Sequence, residues 1–286
     1  RLNQNVNKKD KKKVRVNKIV ENQFCLSRDV EQLGKYISNV KPDDIITISS
    51  KLHGCNCVIA KVLCKKPLKF YEKILKFLGV NIVDKHYNLV YSSRSVIKNA
   101  YADKQHNSFY DSDVWGAVAN KYKDCIVDSL SIYGEIVGYT STGSYIQKDY
   151  DYGCEKGQLD FYCFRITCTS TDGKVFEFSW QQIKDYCSKY NIKHVLELYY
   201  GKAGDLFDIE IDDNWHKNFL AELSNKFLEK KCKICKNNVP DEGIVLTVQS
   251  GEYIPYKYKS FLFKQRESDA LDKGDVNMED IESVNL

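Results

Sequence analysis

Lys51-Leu52-His53-Gly54 sets an amine three positions ahead of a glycine, directly after an apolar, β-rich run. A lysine attacks phosphorus only as the free amine, so it needs desolvation or a neighbouring cation to lower its pKa. A glycine beside it lets the backbone approach a phosphate closely. Alone, such a pair is common and usually marks a solvated turn. Here an ordered series follows it. Arg94 lies in Tyr91-Ser92-Ser93-Arg94-Ser95, and Glu135 in Tyr133-Gly134-Glu135-Ile136. Phe164 closes Phe161-Tyr162-Cys163-Phe164, and Glu242 opens Glu242-Gly243-Ile244-Val245. Lys257 and Lys259 alternate in Tyr256-Lys257-Tyr258-Lys259. An amine nucleophile, two carboxylates, a guanidinium, an aromatic plate and two ammonium groups make a kit for handling Mg-ATP.

The elements that must position these groups are short and mixed. Residues 44–48 form a β-rich run into Lys51, and 57–62 form a second run just beyond it. Residues 131–133, 161–166 and 243–248 are further strand candidates. Asp172-Gly173 is a hairpin turn signal between 166–170 and 175–178. If 256–259 is a strand, Lys257 and Lys259 point to the same face. Helices are expected at about 112–128, at 179–190 with Ser179 as N-cap, and at 214–230. Strands without regular βαβ alternation predict an α+β fold with largely antiparallel sheets.

The series resembles the motifs of the covalent nucleotidyltransferase superfamily, which includes polynucleotide ligases and mRNA capping enzymes. The Lys-x-His-Gly-x-Asn form, Lys51 through Asn56, is most similar to ATP-dependent RNA ligases of the phage T4 second-ligase type. DNA ligases and capping enzymes usually carry Asp where His53 stands. The stretch Tyr133–Ile166, with Tyr145-Ile146-Gln147-Lys148 inside it, extends the likeness. The segments 24–51 and 257–272 look closest to ligases with an N-terminal OB domain, the Deinococcus and Naegleria type.

The resemblance implies an α+β nucleotidyltransferase domain, the ATP-grasp-like adenylylation domain of DNA and RNA ligases, with antiparallel sheets flanked by helices. It implies that Lys51 attacks ATP and carries AMP covalently. Arg94 and Glu135 would contact the sugar, Phe164 would stack on adenine, and Asn56 would lie near the phosphates. His53 is a further nucleotide-binding candidate. Glu135 and Glu242 would place Mg2+ or Mn2+, and Lys257 and Lys259 would neutralise the transferring phosphate. The implied substrate is RNA with 5′-phosphate and 3′-hydroxyl ends, in repair and with a nicked duplex as one form. The family usually has Asp after the phenylalanine, where Arg165 stands here. A DNA ligase, a GMP-transferring capping enzyme and a non-catalytic RNA-binding scaffold remain alternatives.

Composition bounds this reading. The chain has 286 residues, 29% of them charged and 43% hydrophobic, which is ordinary for a globular protein. No segment approaches the roughly 20 apolar residues that span a bilayer, so no membrane partner is expected. The eleven cysteines read as free thiols of an intracellular, reducing compartment. Cys232-Lys233-Ile234-Cys235 reads mainly as thiols near a helix end, with a zinc half-site as the alternative. The net charge is +4, with a basic run from Lys8 to Lys18 and acids at Asp275, Glu279, Asp280 and Glu282. The expected domains are therefore a basic linker at 1–22, the nucleotidyltransferase domain at 23–272 and an acidic tail at 273–286. A monomer is expected. A start at Arg1 rather than methionine suggests that an upstream OB domain has been removed.

Overall fold

The structure, a computed structural model, describes residues 19–99, 101 and 110–272. The basic run of 8–18 and the acidic residues of 273–286 lie outside the described residues. The strands are β1 (Glu31–Gln32), β2 (Ile45–Lys51), β3 (Cys55–Lys65), β4 (Lys85–Ser92), β5 (Leu130–Gly138), β6 (Leu159–Thr169), β7 (Val175–Glu177), β8 (Lys193–His194), β9 (Glu197–Lys202), β10 (Gly243–Gln249) and β11 (Tyr253–Lys259). The helices are α1 (Leu33–Tyr36), α2 (Phe70–Phe77), α3 (Val114–Tyr122), α4 (Trp180–Tyr190), α5 (Trp215–Phe227) and α6 (Phe261–Asp272).

Two mostly antiparallel sheets result. One runs β1-β11-β10-β2-β9, with only β1 on β11 parallel. The other runs β4-β3-β5-β6-β7, with β8 parallel to β6. The expected α+β architecture is the one observed. Strand β2 ends the first sheet at Lys51, and after three residues β3 opens the second. The chain therefore crosses between the sheets at Leu52-His53-Gly54.

Period-two alternation on β2 and β10 divides the first sheet's faces. Ile46 and Ile48 of β2, with Ile244, Leu246 and Val248 of β10, pack on Trp215, Phe219 and Leu223 of α5. Thr47, Ser49 and Lys51, with Val245, Thr247 and Gln249, line the opposite side. A second core covers the other sheet, gathering Ile59, Ile132, Phe161 and Ile166 with Trp115 and Val118 of α3 and Trp180 and Ile183 of α4.

Helix α4 begins as its sequence predicts. Ser179 accepts from the Gln182 amide, and the Gln182 side chain returns a bond to the Ser179 amide. Helix α3 is shorter than the expected 112–128. It starts after Asp113, whose carboxylate accepts from the Gly116 amide, and ends at Tyr122. Residues 19–20 lie along β3, with Ile19 bridged to Cys64 and the Val20 amide donating to the Leu63 carbonyl.

Candidate active site

Strand register builds the site. Lys51 is opposite Gly243, and Gly243 is opposite Lys259, so both lysines flank one point on β10. Glu242, just before that point, is buried between them. Its Oε1 lies 2.8 Å from Lys51 Nζ and 3.3 Å from Lys259 Nζ. Lys257 sits two residues back on the same face of β11. The lysine pair thus shares a face, as alternation predicts.

The second sheet supplies the opposing wall. Asn56 on β3 is the cross-strand partner of Glu135 on β5, and Phe164 follows on β6. Between the walls lies a cavity of about 130 Å³, lined by Lys51, Asn56, Arg94, Glu135, Phe164, Glu242, Lys257 and Lys259. Eight of the nine residues singled out from the sequence therefore meet in one enclosure. Arg94 sits at an edge of it, ion-paired to Asp29.

His53, the ninth, faces elsewhere. It lines a neighbouring cleft of about 1240 Å³ together with Gln147 and Arg266. Its ring is held edge-on between Tyr150 and Phe263, each centroid 4.9 Å away, and Nδ1 is 4.0 Å from Glu242. Gln147 donates 2.9 Å to the Gly54 carbonyl, and the His53 amide donates 2.7 Å to the Tyr152 hydroxyl. Both bonds fix the turn that follows Lys51.

Gly54 has a reason the sequence did not reveal. A Cβ there would come 2.4 Å from the Ile136 carbonyl oxygen, so the glycine serves strand packing as well as any phosphate.

The electrostatics follow from this crowding. Burial alone would raise the Glu242 carboxyl, but Lys51, His53 and Lys259 hold it below the usual carboxylate range. Burial drives the His53 imidazole down to about 4, with Lys51, Lys259 and Arg266 adding to the effect and Glu242 opposing it. Lys257 is lowered by burial first, then by the charges of Lys51, Lys259 and Arg94. Lys51 and Lys259 flank Glu242, and Lys257 with Arg94 adds further positive charge to the cavity against Glu135, which leaves a cationic enclosure suited to a polyphosphate. Lys259 also pairs with Glu267 of α6 at 3.1 Å, so an incoming anion must compete with that carboxylate.

Among the described residues, Thr47 Oγ1, Asn56 Oδ1 and Glu242 Oε2 are buried without a hydrogen-bond partner. All three residues line the cavity. Buried polar atoms are normally satisfied, and these three face a cavity that a polar occupant would fit. Thr47, Ser49, Thr247 and Gln249 were not singled out from the sequence. Their signal was available, because they alternate with core residues on β2 and β10.

Arg165 also lines the cavity and is fully engaged. It stacks between Tyr133 and Tyr253, 4.4 and 4.5 Å from their centroids, and its Nε donates 3.0 Å to Glu177. All eleven cysteines are free thiols. Cys55 and Cys57, either side of Asn56, are buried in the core, and burial pushes the Cys57 thiol up, away from reactivity. No group of three or more His, Cys, Asp or Glu side chains that could hold a metal occurs among the described residues, so Cys232 and Cys235 lack zinc partners there.

A family model described as RNA ligase matches residues 44–264. Solved structures of the Naegleria gruberi RNA ligase are similar in fold. A mutant with ATP and manganese aligns with a TM-score of 0.54 at 14% identity, covering 88% of this chain and 62% of that one. The enzyme with pyrophosphate gives 0.52 at 14%, covering 89% and 60%. An apo mutant gives 0.52 at 16%, covering 88% and 61%. The chain thus spans about three-fifths of these relatives' length. No curated protein matches it.

Proposed function

The chain belongs to the RNA ligase family, and from that membership and the cavity's geometry we propose that it is an ATP-dependent RNA ligase working through lysyl-AMP on Lys51. The observation that carries this reading is the row Lys51–Glu242–Lys259, closed over by Asn56, Glu135 and Phe164. Solved relatives described with ATP, AMP, pyrophosphate and manganese support it.

In the first step, Lys51 Nζ releases a proton to solvent and attacks the α-phosphorus. A P–N bond forms, the bond to the β-phosphate breaks, and pyrophosphate leaves. Glu242 orients the amine, while Lys257 and Lys259 neutralise charge on the phosphoryl oxygens. Phe164 stacks on the base, Arg94 and Glu135 hold the sugar, and Asn56 stands near the phosphates. AMP then passes to an RNA 5′-phosphate oxygen, which frees Lys51. Finally a 3′-hydroxyl attacks that 5′-phosphorus and expels AMP, sealing the strand.

The cavity's donors fit a hard divalent cation. Glu242 Oε2 is a buried oxygen without a hydrogen-bond partner, and Glu135 lines the same cavity from the opposing wall. Mg2+ or Mn2+ commonly keeps water and substrate phosphates as its remaining ligands, so two carboxylates suffice. Such an ion would offset phosphate charge.

We further place the protein with the phage T4 second-ligase type and propose that residues 23–272 form the adenylylation unit beside an upstream OB domain. The segments 1–22 and 273–286 are proposed as a linker and an acidic tail. Repair of nicked RNA by a monomer in a reducing compartment completes the reading.

Intact-protein mass after incubation with ATP and magnesium tests it. The wild type should gain one AMP and Lys51→Ala none. Equal labelling of both would reject Lys51, labelling by GTP alone would favour a capping enzyme, and no labelling at all would favour the scaffold.

A further inference from the structure

Helix α2 carries a surface that the active site does not use. At 3.6 residues per turn, Phe70, Tyr71, Ile74, Leu75 and Phe77 fall within an arc of about 160°. Glu72, Lys73 and Lys76 occupy the remainder. No residue of α2 is buried. Phe70 is 80% exposed and Phe77 90%, and the apolar surface continues through Leu78, Val80 and Val83. A soluble protein seldom leaves so many contiguous large apolar side chains in water without a partner.

The helix joins β3 to β4, and β3 starts beside the nucleophile and ends at Lys65. At about 3.3 Å per residue, eleven residues put α2 roughly 30 Å from the catalytic end of that strand. The surface is therefore separate from the adenylylation chemistry.

Charge narrows the occupant. Between positions 65 and 85 there are six lysines against Glu72 and Asp84. Both acids are already engaged, by Lys66 and Lys76 respectively. A second copy of the chain would meet the same lysine excess. Single-stranded RNA favours cations and stacking rings on one face. Here Lys69 lies 5.7 Å over the Tyr71 ring, but Lys73 and Lys76 lie opposite the rings, and the exposed isoleucine, leucines and valines cannot stack on bases. Segregation of this kind suits a bilayer interface, where the apolar arc enters the acyl boundary and lysine stems carry their ammonium groups to lipid phosphates.

We propose that α2 and the loop after it dock this protein on an anionic phospholipid surface. Among the described residues no helix is long and apolar enough to cross a membrane, so the contact is peripheral. The absence of a spanning run, which led to the expectation of no membrane partner, does not bear on such a contact.

Co-sedimentation of the full chain with vesicles tests this, using phosphatidylcholine alone or mixed with phosphatidylserine. The wild type should pellet with the anionic vesicles at least about tenfold better than with the neutral ones, and added salt should weaken it. Phe70→Ser/Phe77→Ser should lower binding about tenfold. Lys73→Gln/Lys76→Gln should lower it severalfold. Neither pair is buried, so circular dichroism should show both variants folded. Binding to neither vesicle, undiminished binding of both variants, or pelleting by self-association without vesicles would overturn the proposal. AMP labelling is not the readout, so failure here leaves the ligase reading intact.

Discussion

Glu242 shows how one buried carboxylate sets the behaviour of its neighbours. It holds the ammonium group of Lys51, the proposed nucleophile, at 2.8 Å, so the proposed attack requires this pair to loosen as the phosphates arrive. The same crowding keeps His53 neutral. Its pKa falls from 6.5 to about 4, so the unfolded chain takes up a proton before the folded one does. Stability is then complete above about pH 6.5 and is lost as pH falls toward 4. The shift is worth about 3 kcal/mol in full, and less here because the imidazole is 18% exposed. Urea unfolding at pH 7 and pH 5 should show a loss of about 1–2 kcal/mol in the wild type and a smaller one in His53→Gln. Equal losses would mean that His53 is not held neutral. Arg165 belongs at this scale too. Its ion pair with Glu177 and its two aromatic neighbours give the unusual residue a structural reason that no sequence motif could supply.

Among the elements, β10 and β11 aim most of the chemistry, and Gly243 fixes their alignment. Its φ is +138°, and a Cβ would lie 2.1 Å from the Tyr258 carbonyl oxygen. Gly243→Ala should therefore cost about 2–4 kcal/mol through strain and overpacking, and it should displace Glu242 enough to slow AMP labelling. Gly251→Ala, in the turn of the same hairpin, has φ +83° but nothing within 4 Å. It should cost only about 1 kcal/mol and leave labelling unchanged. Similar effects from the two changes, measured by urea unfolding, would remove the register argument. The strands were legible where alternation marked a half-buried face, as on β2, or where apolar residues ran continuously, as on β3. Helix α4 was legible from its apolar spacing and its Ser179 N-cap. Helix α2 was not predicted, although its apolar residues recur at helical spacing. Helix α6 was missed because Phe263 is its only buried residue, leaving little periodicity to read.

At the scale of the molecule, the cavity lies between two sheets with separate cores, and the chain crosses between them at Leu52-His53-Gly54. Sequence order listed the motif residues without showing that His53 turns to the outer cleft while the others close the inner one. That division depends on strand register and on the tight turn at Gly54, both set by distant partners such as Ile136 and Tyr152. Arg165 of one sheet stacks on Tyr253 of the other, 4.5 Å from its centroid, so an occupant that also contacts both sheets should stabilise them together. ATP at 100 times its dissociation constant should add about 2.7 kcal/mol and raise the unfolding midpoint by several degrees. Lys51→Ala should keep most of that rise, because it removes the bond-forming amine and leaves both walls. Calorimetry should then show one transition that moves as a whole. Two transitions, with only one shifted by ATP, would mean that the nucleotide rests on a single sheet and that the opposing residues act at a later step.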